Sequence, residues 1–249
     1  MIAALLLGRK GSKGFPNKNV AALLGHPISF YPMKAALNCK DVDRTYLSTD
    51  DERLQALART LGAEIIIRPP ELCTDAALGE HAYVHGYREI CGRLGREPEM
   101  MALLFCNAPA VTPKLISQGV KALRDNPEYD SAVTVSKYNM WSPLRAKKIG
   151  SDGLLQPFVS PSGFGGDPRA LTCDRDSQGD VWFPDMGLSL VRPRCLDNLE
   201  SGMPPQKWMG RKIFPLKQAA GLDVDFEWQM PQAEAWLKMA LGAGDIDYV

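Results

Sequence analysis

Apolar positions along the chain follow two rhythms: short unbroken runs, and longer stretches with a helical period. Residues 2–7 form an unbroken run, Ile-Ala-Ala-Leu-Leu-Leu, which predicts a strand buried on both faces. A polar, glycine-rich loop follows over residues 8–19, and then a helix over 28–37 with Pro27 near its start. Residues 44–48 predict a second strand. It ends in Ser48-Thr49-Asp50-Asp51, where a small polar side chain can cap a helix that runs through Leu61. The pattern continues with a strand over 63–67, a helix over 78–94, a strand over 100–105, a helix over 113–124 and a strand over 131–135. Strands that alternate with helices predict an α/β fold: a Rossmann-like, mostly parallel sheet flanked by helices on both faces.

Between residues 141 and 208 the alternation breaks down. Pro, Gly and Asp are frequent there, and only short apolar pieces such as residues 187–191 stand out. Phe158, Trp182 and Phe183 give this stretch something to pack, so it reads as an inserted lobe and not as disorder. Regular structure is expected again over 212–215 and 221–225, then in an amphipathic helix over 227–241.

Composition narrows the function. The 249 residues suit one α/β domain, 1–249, with 141–208 as its insertion. Lys plus Arg and Asp plus Glu number 29 each, a balance that argues against a nucleic-acid partner. No apolar run approaches the roughly 20 residues that span a bilayer, so no membrane association is expected. Residues 1–7 are followed, not preceded, by positive charge and read as a strand, not a signal. The six cysteines show no CxxC pair or metal-ligand spacing, which suits reduced thiols in a cytoplasmic protein. His81 and His85 could share a helix face, where a surface or structural role is expected.

The strongest chemical signal is the loop after the first strand. Gly8, Gly11 and Gly14 let backbone N–H groups approach an anion, and Arg9, Lys10, Lys13 and Lys18 surround it with positive charge. Such a nest suits a triphosphate, at the strand end where open α/β sheets place ligands. It is neither a P-loop nor a dinucleotide fingerprint, since GxxxxGK[ST] and GxGxxG are both absent. Near the other end of the chain, Asp223 and Asp225 alternate, so on a strand both would point to one face and could hold Mg²⁺.

The run R-x-G-S-K-G-x-P-x-K-N over residues 9–19 resembles the signature of the CMP-sialic acid synthetase family, the cytidylyltransferases acting on nonulosonic acids. Four further segments follow in the family's order: Tyr46 to Asp51, Arg68 to Asp75, Trp141 to Leu155, and Gly221 to Asp225. The resemblance implies a nucleotide-diphospho-sugar transferase-like fold whose inserted lobe supports a homodimer. It implies transfer of CMP from CTP to an acidic sugar with loss of pyrophosphate, dependent on Mg²⁺ or Mn²⁺. Arg9, Ser12 and Lys13 would cradle the β- and γ-phosphates, with Arg9 and Lys13 serving catalysis. Gly11 and Lys18 would complete the phosphate loop, while Asn19 and Arg68 would contact ribose and base. Asp223 and Asp225 would hold the metal. Phe105, Asn107, Lys148 and Arg175 would lie towards the acceptor.

Departures from the family pattern fall on the acceptor side. Phe105 stands where the family has a Gln facing the sugar, Val111 where it has an Arg, and Asp185-Met186-Gly187 where it reads Asn-Gly-Ala. A polar amide cannot become Phe105 without changing which acceptor groups are read. N-acetylneuraminic acid is therefore expected to be a poor acceptor. A Kdo-like or diamino acidic sugar, a phosphonate acceptor, or GTP as donor stay open as alternatives. So does a nucleotide-binding homologue without catalysis, although retention of both Asp223 and Asp225 weighs against it. A sugar-nucleotide glycosyltransferase would lack the basic glycine loop.

Overall fold

The computed structural model describes residues 1–164, 167–219, 221 and 223–242. Its centre is a seven-stranded sheet in the order β11-β7-β10-β6-β1-β4-β5. The strands are β1 (Ile2–Leu7), β4 (Arg44–Thr49), β5 (Glu64–Ile67), β6 (Met100–Phe105), β7 (Ser131–Lys137), β10 (Trp182–Val191) and β11 (Ile213–Gln218). Two small hairpins add β2 (Ala22–Leu23) with β3 (His26–Pro27), and β8 (Lys147–Ile149) with β9 (Leu155–Pro157). All neighbours in the large sheet run parallel except at β10, which is antiparallel to both β6 and β7.

Side-chain alternation along the central strands feeds two cores. Ile2, Ala4 and Leu6 of β1 enter one, with Met33 of α1 (Phe30–Leu37), Leu54 of α2 (Glu52–Leu61) and Ile116 of α4 (Pro113–Asp125). Ala3, Leu5 and Leu7 enter the other, with Tyr83 and Ile90 of α3 (Gly79–Leu94) and Leu196 of α5 (Pro193–Asp197). A strand buried on both faces has no polar side to mark it, which is why β1 reads as a continuous apolar run. Local signals set the helix ends. Asp51 caps α2 by accepting from the Arg53 N–H at 2.9 Å, and Thr112 caps α4 by accepting from Leu115 N–H at 3.2 Å. Gly62 ends α2 with φ +90°, a conformation that favours glycine.

A third core forms where α6 (Met230–Gly242) packs on the β2–β3 hairpin and α1, through Ala233, Leu237, Leu23, Ile28 and Tyr31. Val224 is fully buried in this cluster. That burial fixes the segment carrying the two predicted metal ligands.

Two expectations about this half of the chain change. The stretch 141–208 contains β10, which lies inside the central sheet between β6 and β7. The part that leaves the sheet is therefore described over 138–164 and 167–181, and it carries the β8–β9 hairpin. Residues 221, 223, 224 and 225 form no strand; the last sheet strand is Ile213–Gln218.

Candidate functional site

The chain's crossover places a crevice at the carboxyl ends of β1, β4 and β6. From β1 the chain moves outward through β4 to β5, then returns to the other side of β1 as β6. Such a reversal of strand order opens a crevice above the strand ends. Leu7 pairs with Ser48 on one side and Phe105 on the other, so the segments after β1, β4 and β6 emerge at one level. The result is a cleft of about 440 Å³.

The glycine loop forms one wall. A Cβ on Gly8 would stand 2.7 Å from both Cys106 Sγ and Leu54 Cδ1, so a larger residue here would have to push those two side chains aside. Gly11 turns the loop with φ +76°. Arg9, Ser12, Lys13 and Lys18 line the cleft together with Asn19. Arg9 and Lys13 converge on Asp75, at 2.7 and 2.8 Å. Hydrogen bonds from Lys13 and Arg9 hold the Asp75 carboxyl below the usual carboxylate range. Asp75 thus acts as a counterion for the two side chains expected to meet phosphate. Asn19 is buried and donates to Arg9 O at 3.1 Å, which ties the end of the loop to its start. Among the described residues its Oδ1 has no hydrogen-bond partner, leaving a buried acceptor at the cleft.

Arg68 forms the floor. It follows β5 and is 5% exposed, with its guanidinium donating to Ser48 O at 2.7 Å and Ser48 Oγ at 3.2 Å. Burial pushes its pKa down, since no carboxylate forms an ion pair with it among the described residues. A desolvated cation of this kind favours an electron-rich partner in the cleft. Phe105 also lines the cleft, packed on Tyr83 with ring centroids 5.5 Å apart, so it presents an apolar face there.

Asn107 lines the cleft and also holds the neighbouring chain. Its backbone O accepts from Val224 N–H at 2.8 Å, and its Nδ2 donates to Val224 O at 3.0 Å. With Val224 sunk in the third core, this two-way clamp turns Asp223 and Asp225 outward on either side. Asp225 lines the cleft and pairs with Lys18. Asp223 lines a neighbouring cavity. The two carboxylates therefore flank a docked loop; they do not alternate along a strand, as their spacing predicts. They still feel each other: burial, then repulsion from Asp225, raise the Asp223 carboxyl to about 6.

A divalent cation fits this pair on its chemistry. Both donors are carboxylate oxygens, and the Asp223 carboxyl is raised first by burial and then by repulsion from Asp225, so a cation would relieve that cost. Among the described residues no group of three or more His, Cys, Asp or Glu side chains is placed to hold a metal. Mg²⁺ is compatible with so sparse a set, because it usually takes one or two carboxylates and completes its shell with water and phosphate.

Other predicted residues fall elsewhere. Lys148 is exposed on β8, and Arg175 is exposed and beside Asp176 at 3.5 Å; neither lines the cleft. Val111 is fully buried among Leu104 and Ile116, so it cannot face an acceptor. Sequence reasoning missed the role of Asp75. The residue was in view within the Arg68–Asp75 segment, but nothing in its spacing shows that it folds back onto the glycine loop.

Comparison with known proteins agrees with this geometry. The cytidylyltransferase family profile matches residues 3–149. N-acylneuraminate cytidylyltransferase of Oncorhynchus mykiss is 27% identical over 236 residues, covering 94% of this chain and 49% of that protein. The N-acylneuraminate cytidylyltransferase of Escherichia coli O18:K1:H7 is 31% identical over 143 residues, 57% of this chain and 33% of that one. This chain thus spans half or less of the length of these curated relatives. Among solved structures, a CMP:2-keto-3-deoxy-manno-octonic acid synthetase complexed with CTP superposes with a TM-score of 0.66 at 17% identity, covering 96% of this chain and 98% of that one. A 4-diphosphocytidyl-2C-methyl-D-erythritol synthase from Anaerococcus prevotii gives 0.62 at 12%, covering 95% and 96%. These likenesses identify the fold, and the profile match extends over more than half of the sequence. The chain belongs to the cytidylyltransferase family.

Proposed function

We propose that the protein transfers CMP from CTP to an acidic sugar of the nonulosonic type and releases pyrophosphate. One observation carries the reading: the glycine loop with Arg9 and Lys13, the buried Arg68 and the carboxylate of Asp225 meet in a single cleft. Arg9, Ser12 and Lys13 bind the β- and γ-phosphates, with Gly11 and Lys18 shaping the loop around them. Asn19 and Arg68 hold ribose and base. The acceptor hydroxyl oxygen forms a bond to the α-phosphorus, the α–β anhydride bond breaks, pyrophosphate leaves, and the hydroxyl proton passes to water. Positioning and charge neutralisation carry such chemistry, so no dedicated base is required. Asp223 and Asp225 hold Mg²⁺ (or Mn²⁺), which when bound neutralises phosphate charge.

Lys13 provides the test of the phosphate wall. Its side chain is 78% exposed and paired only at the surface, so Lys13→Ala should leave stability within about 0.5 kcal/mol. Turnover at saturating CTP should fall about tenfold or more, because the contact strengthens as charge develops on the leaving group. A variant that turns over at the wild-type rate removes the loop from the mechanism.

The homodimer expected from the family belongs to the segment that leaves the sheet. The β8–β9 hairpin and the residues after it expose Ile149, Leu154, Leu155 and Phe158, each by more than 60%. Apolar side chains grouped in this way suit burial against a second copy. Lys148 and Arg175 lie on the same excursion, away from the cleft. Leu155→Asp should convert a dimer into a monomer by light scattering; a monomeric wild type would refute the assignment. A cytoplasmic location is consistent with six unpaired cysteines. No described helix is long and apolar enough to cross a membrane.

A further inference from the structure

Across Val224 from the nucleotide cleft lies a second cavity of about 440 Å³. Its walls include the rings of Tyr138, Trp141, Phe183 and Trp228 and the carboxylates of Asp185 and Asp223. Among the described residues, no Lys or Arg lines it. An acidic acceptor alone would find little to attract it here.

The walls are held in place. Tyr138 donates to Gly221 O at 2.7 Å and meets Phe183 edge-on at 6.1 Å. Trp228 stacks on Phe226 with centroids 6.3 Å apart. Trp141 and Trp228 nonetheless remain 67% and 65% exposed, so large aromatic surface is left open beside this cavity. Asp185 is 6% exposed and accepts from Thr134 Oγ1 at 2.6 Å, Ser136 Oγ at 2.7 Å, Gln218 Nε2 at 2.6 Å and Gly187 N–H at 3.2 Å. Every one of these donors is neutral. The carboxylate is oriented, but no cation pairs with it among the described residues. The chain takes an irregular path to put it there. The register of β10 breaks between Pro184 and Ser189, and Met186 adopts φ +59°, which disfavours a side chain. Bulges of this kind commonly re-aim a side chain beside a functional site.

Aromatic faces around an uncompensated carboxylate attract an ammonium group through cation–π and Coulomb terms together. A neutral N-acyl group carries no charge for the carboxylates to attract and gains no cation–π contact. We propose that this cavity binds an ammonium group of the acceptor, so that the protein's substrate is an acid carrying a free or quaternary amine. Its nucleophilic oxygen points past Asp223 to the nucleotide. The acceptor role rests on the CMP-transfer reading; the ammonium site itself does not.

Choline and its neutral isostere 3,3-dimethylbutan-1-ol separate charge from shape. Titrated into the full chain and followed by calorimetry, choline should bind about tenfold or more tightly than the isostere. Trp141→Leu, at an exposed position, should weaken choline binding about fivefold. A CTP titration of each protein reports separately on the other cleft. Equal affinity for the two probes, absence of choline binding at millimolar concentration, or undiminished binding in Trp141→Leu would overturn the ammonium site. Choline binding without CTP binding would sink the nucleotide reading and leave this site standing.

Discussion

Asp223→Asn should yield a protein that is more stable than the parent and has lost most of its activity. Burial and the neighbouring Asp225 carboxylate raise the Asp223 carboxyl from 3.8 to about 6. The folded chain therefore holds this proton at pH values where the unfolded chain has released it. Stability must fall as pH rises from about 4 through 6, and above that range the charged side chain is a standing cost. Removing the charge should recover about 3 kcal/mol at pH 7, or roughly 8 °C in Tm for a chain of this length. The gain should vanish below pH 4, where Asp223 is neutral in both states. Added Mg²⁺ should stabilise the wild type but raise the variant's Tm much less. Turnover should drop about 100-fold or more, since the metal site loses half of its protein charge. Thermal melts across pH, with and without Mg²⁺, check the first part, and pyrophosphate release checks the second. A variant that is less stable at pH 7, or that keeps its activity, contradicts the assignment of Asp223.

Arg68→Met should separate binding from folding in a similar way. The guanidinium is buried with only Ser48 as hydrogen-bond partner, and no carboxylate forms an ion pair with it among the described residues. Methionine fills much of the same space without the desolvated charge, while Ser48 O loses a donor. These effects oppose each other, so stability should stay within about 1 kcal/mol of the parent. CTP would lose a charged donor in a water-poor cleft, worth about 1.5–3 kcal/mol. The KM for CTP should rise about 10- to 100-fold, with a smaller change in kcat. An unchanged KM would show that Arg68 is a structural cation and that the base and ribose are held elsewhere.

The parts of the fold that were legible in the sequence are those built from uninterrupted local patterns. Strand β1 and strand β6 occur over the residues that their apolar runs predict, because burial on both faces leaves no competing signal. Strand β10 was seen only as residues 187–191 because its first half is irregular. Trp182, Phe183, Pro184 and Asp185 do not alternate cleanly, and the register breaks after Pro184. The Asp223–Asp225 segment misled for a related reason. An Asp-Val-Asp pattern fits a strand edge and equally fits a loop pinned by one buried Val. Only the tertiary structure shows that its partner is Asn107 and not a neighbouring strand.

In the site, the glycines and clustered cations that line the cleft were readable because they fall within one short loop. The Arg9–Asp75 and Lys13–Asp75 contacts bridge more than 60 positions and leave no periodic trace. Val111 shows the limit of carrying a family pattern by offset alone. The position that bears a cation in relatives falls here in the core beside Ile116. Phe105, by contrast, does line the cleft, so the expectation of altered acceptor choice now rests on that residue and on the aromatic cavity next to it.

Phosphorus NMR reads the proposed CMP transfer from CTP to an acidic sugar directly. Purified protein with Mg²⁺ and CTP would be given a panel of carboxylated sugars, N-acetylneuraminic acid and amino-substituted acids among them. Equal amounts of pyrophosphate and a new CMP phosphodiester are expected with at least one acid, formed faster from CTP than from GTP or UTP, and slowly if at all with N-acetylneuraminic acid. Binding of CTP without consumption for any acid in the panel, or equal transfer from GTP, would contradict it.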